Sequence, residues 1–546
     1  MSRSIDGGAR PALGSRTRCR PGLIVLVPVL LTFAGCMVGP NYQRPKVSVS
    51  PSFGETGDQR RVSTESTPYR DWWRAFNDPV LDRLVARAYR DNLTLRQAGV
   101  RVLQARAQLG IAVGEIFPQA QQAIGSVQYN RTSDRAPSAA LASSGGGSGS
   151  VAYWQSQIGA QASWELDFWG RIRRGIQSAD ASLLATLADY DNTLVTLTAD
   201  VANTYIALRT AEERIRIAQE NIEIQQQTLQ IVEARFKFGV VTQLDVEQAR
   251  TTLLNTQATL PTLETQRRQA RDALSVLLGM APNDLGDLLD GPAGIPASPP
   301  QVIVGIPADL LRRRPDIRSA ELQAVAQSAQ IGVAKADLLP AFSLIGNLVL
   351  LSTDLGTFRL SDMFRWGSRQ VQIGPSVQWN ILNYGQISNN VRVQDAYFQQ
   401  LLLAYQRSVL SAQQDVEDNL SAFLRAQDRA DLLGKSVTSS RAAVDLAVLQ
   451  YREGVTDFTT VLTTQQTLLN QQDSLASTLG NISTSLVGVY RALGGGWEIR
   501  EGEDIVPAEI KAEMRQRTNW GRLLAPTTYN LSADREPRSR PRFPDW

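Results

Sequence analysis

The sequence repeats itself at long range, and no other feature constrains the fold as much. Gln157-Ile158-Gly159 recurs as Gln372-Ile373-Gly374, Trp164 as Trp379 and Gly170 as Gly385, each pair 215 residues apart (379 − 164 = 215). The same offset relates Phe236-Lys237-Phe238-Gly239-Val240 to Tyr451-Arg452-Glu453-Gly454-Val455. Upstream, Arg96, Gly110 and Pro118 match Arg318, Gly332 and Pro340 at an offset of 222. The extra residues of the first copy fall between Pro118 and Gln157. Ser143 to Ser150 there has the glycine and serine composition of a flexible loop. A period this long predicts two copies of one supersecondary unit. Each copy reads as a helix of roughly thirty residues ending at a proline, two strands, a very long helix, a tight turn and a returning helix.

Residues 157 to 168 alternate with period two. Ile158, Ala160, Ala162, Trp164, Leu166 and Phe168 share one face, and Gln157, Gln161, Ser163, Glu165 and Asp167 the other. The second copy places Ile373, Val377, Trp379 and Ile381 opposite Gln372, Ser376, Gln378 and Asn380. One apolar and one polar face suit a membrane barrel strand. Residues 119–131 and 341–351 are the expected partner strands. A soluble sandwich with one wet face has the same alternation. Four strands cannot close a barrel, so membrane insertion would require several chains to complete one.

From Leu187 the apolar positions advance by three and four through Tyr190, Leu194, Leu197, Val201, Leu208, Ile215, Ile222 and Val232 to Phe236. This is a coiled-coil seam. A matching seam runs from Leu402 to Tyr451, and a third occupies the returning helix from Val246 to Leu277. A helix over Arg171–Lys237 would be ~100 Å long at ~1.5 Å per residue. Pro261 predicts a kink or a break in the returning helix.

The N-terminus reads as an export signal. Arg16, Arg18 and Arg20 precede an apolar run from Gly22 to Ala34, which is too short to span a bilayer comfortably. Ala34-Gly35-Cys36 resembles a lipoprotein cleavage box, with Phe33 where leucine is usual. Cys36 is thus the expected lipid attachment site, carrying N-palmitoyl and S-diacylglycerol groups. By analogy with the lipoprotein sorting rule, Met37 after the cysteine favours the outer membrane. Histidine is absent, and the two cysteines, Cys19 and Cys36, both lie at the N-terminus. No disulfide framework or thiolate metal site can be built in the body of the chain. A formal net charge of +3 gives no reason to expect nucleic acid. No phosphate-binding loop, metal-ligand cluster or catalytic constellation is evident, so no enzyme activity and no cofactor beyond the lipid are expected.

The boundaries predicted are a signal peptide over 1–35, a lipid-anchored segment over 36–80, a first repeat over 81–280, a connector over 281–309, a second repeat over 310–497, a C-terminal segment over 498–525 and a tail over 526–546 whose arginine and proline content predicts disorder.

Several blocks resemble one family. They are Cys36-Met37-Val38-Gly39-Pro40-Asn41-Tyr42, Asp71-Trp72-Trp73 with Phe76, Asp78-Pro79 and Leu81, Leu310-Leu311-Arg312-Arg313-Arg314-Pro315-Asp316-Ile317, and Ala492-Leu493-Gly494-Gly495-Gly496-Trp497. In that order they resemble the TolC-like outer membrane factors, and most closely the NodT-type efflux lipoproteins. The resemblance implies a mainly α chain with a transmembrane β-barrel. It implies a homotrimeric tunnel in which each chain gives four strands, with an α-helical barrel below and an equatorial belt formed by the connector and C-terminal segment. It also implies passive conduction of substrates from an inner-membrane pump of the RND type through a periplasmic adaptor. A type I protein secretion duct and a non-pore coiled-coil lipoprotein are the alternative readings.

Gly239 and Gly454 are placed to stop the long helices, and Thr242 and Asp457 to cap the returning ones. The family places its pore constriction and adaptor contacts at these hairpin tips, which here hold Gly239, Thr242, Asp245, Gly454, Asp457, Thr459 and Thr463. Thr459 and Thr463 stand where relatives often carry a bulky apolar residue and an acid. Asp245 or Asp457 would then have to supply any negative charge.

Overall fold

The computed structural model of the chain describes residues 37–57, 61–63, 69–131, 152–282, 285–291, 293–304, 313–354 and 359–525. Cys36, the signal peptide, the glycine-serine loop, Leu310 to Arg312 and the tail lie outside the described residues. In chain order the elements are β1 (Val62–Ser63), α1 (Pro79–Asp91), α2 (Leu93–Gly114), β2 (Ala120–Arg131), β3 (Ala152–Leu166), α3 (Arg171–Lys237) and α4 (Gln243–Leu277). Then come β4 (Val302–Ile303), α5 (Pro315–Ala336), β5 (Ala341–Thr353), β6 (Arg369–Gln378), α6 (Gln386–Arg452), α7 (Phe458–Ala492) and α8 (Ala508–Arg517). Helix is the dominant structure. None of the described helices is long and apolar enough to cross a membrane.

The chain divides into two compact units. The first holds the described residues 37–39, 116–174 and 332–388, and its centre is an antiparallel sheet of order β2-β3-β5-β6. The register puts Trp154, Ile158 and Trp164 of β3 on one face with Leu344, Leu348 and Leu350 of β5 and Val371, Ile373 and Val377 of β6. Gln157 and Gln161 share the other face with Gln122, Asn347 and Gln372. Across it the Gln161 amide donates to Gln122 at 2.7 Å.

The strands are shifted from the expected bounds. β3 starts five residues earlier and ends at Leu166, and β6 ends at Gln378, short of the predicted Trp379 and Ile381. The reason is Pro340. It precedes the first residue of β5, so Gln378 pairs with Ala341 and nothing beyond finds a partner. On β3, Asp167 leaves the ladder to cap α3, accepting from the backbone N–H groups of Ile172 at 2.9 Å and Arg173 at 3.0 Å. Between them Gly170 has φ +78°, and a Cβ there would sit 2.7 Å from Met37. Only glycine suits both the left-handed backbone and that close approach.

The second unit, residues 40–115, 175–331 and 389–525 among those described, holds most of the helix. The first repeat's opening helix is not the single rod of roughly thirty residues expected. It breaks at Asn92, which closes α1 and whose side chain caps α2 by accepting from Leu95 N at 2.8 Å. α3 and α6 each have 67 residues, and α4 and α7 each have 35. The α3 seam is buried along most of its length, with Leu187, Leu194, Val201 and Leu208 at 0% exposure, but its last member, Phe236 beside the turn, is 40% exposed. Truncating any of the three leucines to alanine is expected to cost about 2–5 kcal/mol. α4 runs unbroken through Pro261.

The described parts of three of the blocks that carried the resemblance, around Trp72, Arg314 and Ala492, meet within this unit. The Trp72 indole stacks on Tyr490 with ring centroids 5.4 Å apart. Arg314 donates to the Ala492 carbonyl at 2.7 Å, and the Arg313 guanidinium lies 4.6 Å from the Tyr69 ring centre. The N-terminal strap joins the connector where β1 pairs in parallel with β4. The C-terminal segment is fixed to α3 by Arg500, whose guanidinium forms a buried two-pronged pair with Asp191.

Candidate functional site at the hairpin tips and the apolar sheet face

The two turns are built alike. Phe236 and Arg235 carbonyls accept from Gly239 N at 2.8 Å and Val240 N at 3.0 Å; Tyr451 and Gln450 carbonyls accept from Gly454 N at 3.1 Å and Val455 N at 2.8 Å. Gly239 (φ +71°) and Gly454 (φ +76°) supply the left-handed residue this helix ending requires. Each returning helix is then capped. Thr242 and Asp245 form a reciprocal box, with Thr242 N donating to the Asp245 carboxylate at 2.8 Å. Asp457 accepts from Thr460 N at 3.0 Å and Thr460 Oγ1 at 2.7 Å. Those bonds hold the Asp457 carboxyl below the usual carboxylate range.

Val232, Val246, Ala249, Ala447, Tyr451, Phe458 and Val461 form one apolar cluster beneath both turns. All four helix ends therefore pack as a single body. Sequence reasoning missed the residue that fastens it. Arg235 donates to the carbonyls of Tyr451 and Arg452, at 3.2 Å for the latter, and its guanidinium lies 4.7 Å from the Tyr451 ring centre. A cation on the last carbonyls of α6 satisfies groups the helix leaves open. The signal was weak, since Arg235 is one of many arginines on a polar helix face.

Thr459 and Thr463 are exposed on the first turns of α7. Thr463 Oγ1 donates back to the Thr459 carbonyl at 3.0 Å. Gly239, Val240, Gly454 and Val455 are exposed too, and Phe238 is 85% exposed. Replacing Thr242 by alanine is expected to cost about 1 kcal/mol of local stability, read as faster amide exchange at the start of α4. Asp457 has a depressed folded pKa, so its contribution is present above the unfolded value and lost as pH falls through the folded one. Exchange at Thr460 is expected to quicken only in that acidic window, and not in Asp457→Asn.

The apolar face of the sheet is the second notable surface. Ile373 is 74% exposed, Leu348 51% and Ile158 46%. At one end the rings of Tyr129 and Trp154 meet at 5.4 Å. At the other, three indole N–H groups donate to backbone carbonyls: Trp164 to Ile116, Trp169 to Pro340 and Trp379 to Leu338, at 2.9 to 3.0 Å. Trp154 and Trp164 are ten residues apart on one face, which is ~34 Å along a strand. At a barrel tilt of ~45° the two aromatic rows stand ~24 Å apart, close to the ~25 Å height of an outer-membrane apolar band.

A bare apolar sheet face between aromatic rows, in a chain that also carries paired helical hairpins of this length, defines the class of outer-membrane ducts. The family model described as outer membrane efflux protein matches residues 84–280 and 306–495. The chain belongs to that family and is an outer-membrane channel component of an efflux system; the family consists of ducts, not enzymes. It is 31% identical over 478 residues to the pyoverdine export outer membrane protein OpmQ of Pseudomonas putida, covering 88% of this chain and 98% of the relative. It is 32% identical over 479 residues to the solvent efflux pump outer membrane protein SrpC of the same species, covering 86% and 98%. The solved structure of the outer-membrane channel OprN is 32% identical and superposes with a TM-score of 0.76, covering 85% of this chain and all of that one.

Proposed function

We propose that three copies of this chain assemble into one tunnel, with a twelve-stranded barrel in the outer membrane and a helical barrel beneath it. It passively conducts substrates delivered by an inner-membrane RND-type pump through a periplasmic adaptor. The observation that carries this reading is the exposed apolar sheet face between two aromatic rows. β2 and β6 are edge strands with one neighbour each among the described residues. Edges of that kind are not tolerated in hydrocarbon, so partner chains must cover them. Helices of equal length at an offset of 215 residues (386 − 171 = 215) support a chain made of two like halves.

The hairpin tips are the adaptor-contacting and aperture-forming ends in this reading. The threonines Thr459 and Thr463 make a neutral constriction, and Asp245 and Asp457 serve as caps. Cys36 carries the lipid. Support comes from its neighbours: Val38 N donates to the Trp169 carbonyl at 3.0 Å, and Arg174 Nε donates to the Val38 carbonyl at 3.1 Å. The residues following Cys36 are thereby held at the helix-joined end of the sheet. Cys36→Ser is expected to abolish labelling by radioactive palmitate, and normal labelling of that variant would sink the anchor assignment. The assembly is tested by purified protein in planar bilayers. Discrete conductance steps from a heat-modifiable trimer are expected, and a monomer without conductance would leave the non-pore lipoprotein standing.

A further inference from the structure

We propose that residues 359–369, on the β6 side of the β5–β6 turn, are a docking surface for phosphorylated lipid headgroups of the outer leaflet. The inference rests on the reading that the sheet crosses the outer membrane. The turn lies at the end of β5 and β6 remote from Pro340 and Gln386, where the neighbouring helices join. Arg359, Arg365 and Arg369 are all exposed within eleven residues, beside Phe364 at 74% and Trp366 at 80% exposure. The single acid among them, Asp362, is used locally. It accepts from Arg359 N at 3.1 Å, and its carboxylate lies 3.1 Å from Arg365 Nε. Among the described residues, Arg359 and Arg369 have no ion-pair partner. The surface therefore carries a net positive charge next to two largely exposed aromatic rings.

Position decides what such a surface fits. Register aligns Arg369 with Leu350, on the face that continues through Val371 and Ile373. An arginine there ends an apolar column at its rim, with its stem over apolar surface and its guanidinium at headgroup level. Its guanidinium also lies over the Trp366 indole, and its Nε donates to the Trp366 carbonyl at 2.7 Å. Arg131 ends the Tyr129 column of β2 in the same way. Tryptophan at an interface, with arginines just outside it, matches a layer that is apolar below and phosphorylated above. An acidic protein would need the charge but not the alignment with the apolar face.

The test uses the full-length trimer in phosphatidylcholine vesicles containing bisphosphorylated lipid A, or the same lipid with its phosphates removed. The expected result is retention of the phosphorylated lipid through purification. It should fall by about tenfold or more in the triple variant R359Q/R365Q/R369Q, at unchanged conductance. The Trp366 emission, taken as wild type minus Trp366→Phe, should shift blue only with the phosphorylated lipid, and inorganic phosphate should not reproduce the shift. Equal retention by wild type and triple variant, or equal retention of the dephosphorylated lipid, would overturn the proposal. So would a soluble polyglutamate probe that displaces the lipid. Conductance of the same vesicles reads the channel assignment separately.

Discussion

Arg500→Met is expected to destabilise the fold by about 3–5 kcal/mol near pH 8 and to make its stability fall as pH rises from 6 to 8. Arg500 and Asp191 are 3% and 4% exposed, and their paired contact is a fully buried polar tie between α3 and the C-terminal segment. Removing one member of such a pair leaves an uncompensated buried charge. Burial pushes the Asp191 carboxyl up to about 6 even with Arg500 hydrogen-bonded to it and Arg318 adding positive charge nearby. Without Arg500 that value must rise further. A carboxyl whose folded pKa lies above its unfolded one contributes stability present below the unfolded value and lost as pH climbs through the folded one. For the wild type that window runs from about 4 to about 6, and in Arg500→Met it extends upward. The slope can reach about 1.4 kcal/mol per pH unit for one proton. Thermal unfolding at a series of pH values measures it. The double variant Asp191→Leu/Arg500→Met should recover most of the loss and show no added slope, since it buries no charge. A single variant as stable as wild type at pH 8 would remove this pair from the account of how the C-terminal segment is held.

Asp191 was invisible as a special residue because it sits one position from Tyr190, on the margin of a seam whose spacing is explained without it. Arg500 lies in a short 3₁₀ turn where no periodicity exists to be read. Local physics made other features legible. A seam advancing by three and four residues locates a helix whatever it packs against, and Gly239 and Gly454 mark its end because the left-handed position excludes most side chains. The α3 bounds follow directly from Gly170 and Gly239. Strand bounds were less legible because a ladder depends on its partner. β6 stops where β5 has no residue left to pair, a fact held by Pro340 and not by Trp379 or Ile381. The break at Asn92 was missed for a related reason, since an asparagine cap in a long apolar-periodic run looks like one more polar position until its side chain is seen on Leu95 N.

The tip residues illustrate a different limit. Thr242 and Asp457 were legible as caps, and as caps they are satisfied; Asp245 was legible only as a source of negative charge, and the structure ties it into the Thr242 cap. Capping chemistry is local, whereas a constriction is made only by copies facing one another around an axis. The Thr463 hydroxyl bonds back to its own helix and Thr459 beside it is neutral, so in the proposed trimer the passage would be lined there by hydroxyl and methyl groups and not by an ionised ring.

Ile373→Arg and Gln372→Arg, neighbours on β6, should differ sharply in their effect on assembly. Both positions are exposed, and both substitutions add the same charge at nearly the same depth. On a soluble sandwich an arginine at 74% exposed Ile373 would be nearly silent, because exposed substitutions are usually within about 0.5 kcal/mol of neutral. If that face meets hydrocarbon, the same arginine costs about 2–4 kcal/mol near the midplane. In the proposed trimer the cost recurs in every subunit. Ile373→Arg is therefore expected to cut the folded, membrane-integrated trimer to a small fraction of wild type, measured by heat-modifiable migration of outer-membrane fractions. Gln372 lies on the face that carries Gln161 and Gln122, which a barrel turns toward water. Gln372→Arg is expected to assemble normally and to shift single-channel selectivity toward anions. Should both variants assemble equally well, the apolar face is not in lipid and the sheet is covered by something else. If Gln372→Arg is the one that fails, the two faces have been assigned the wrong way round.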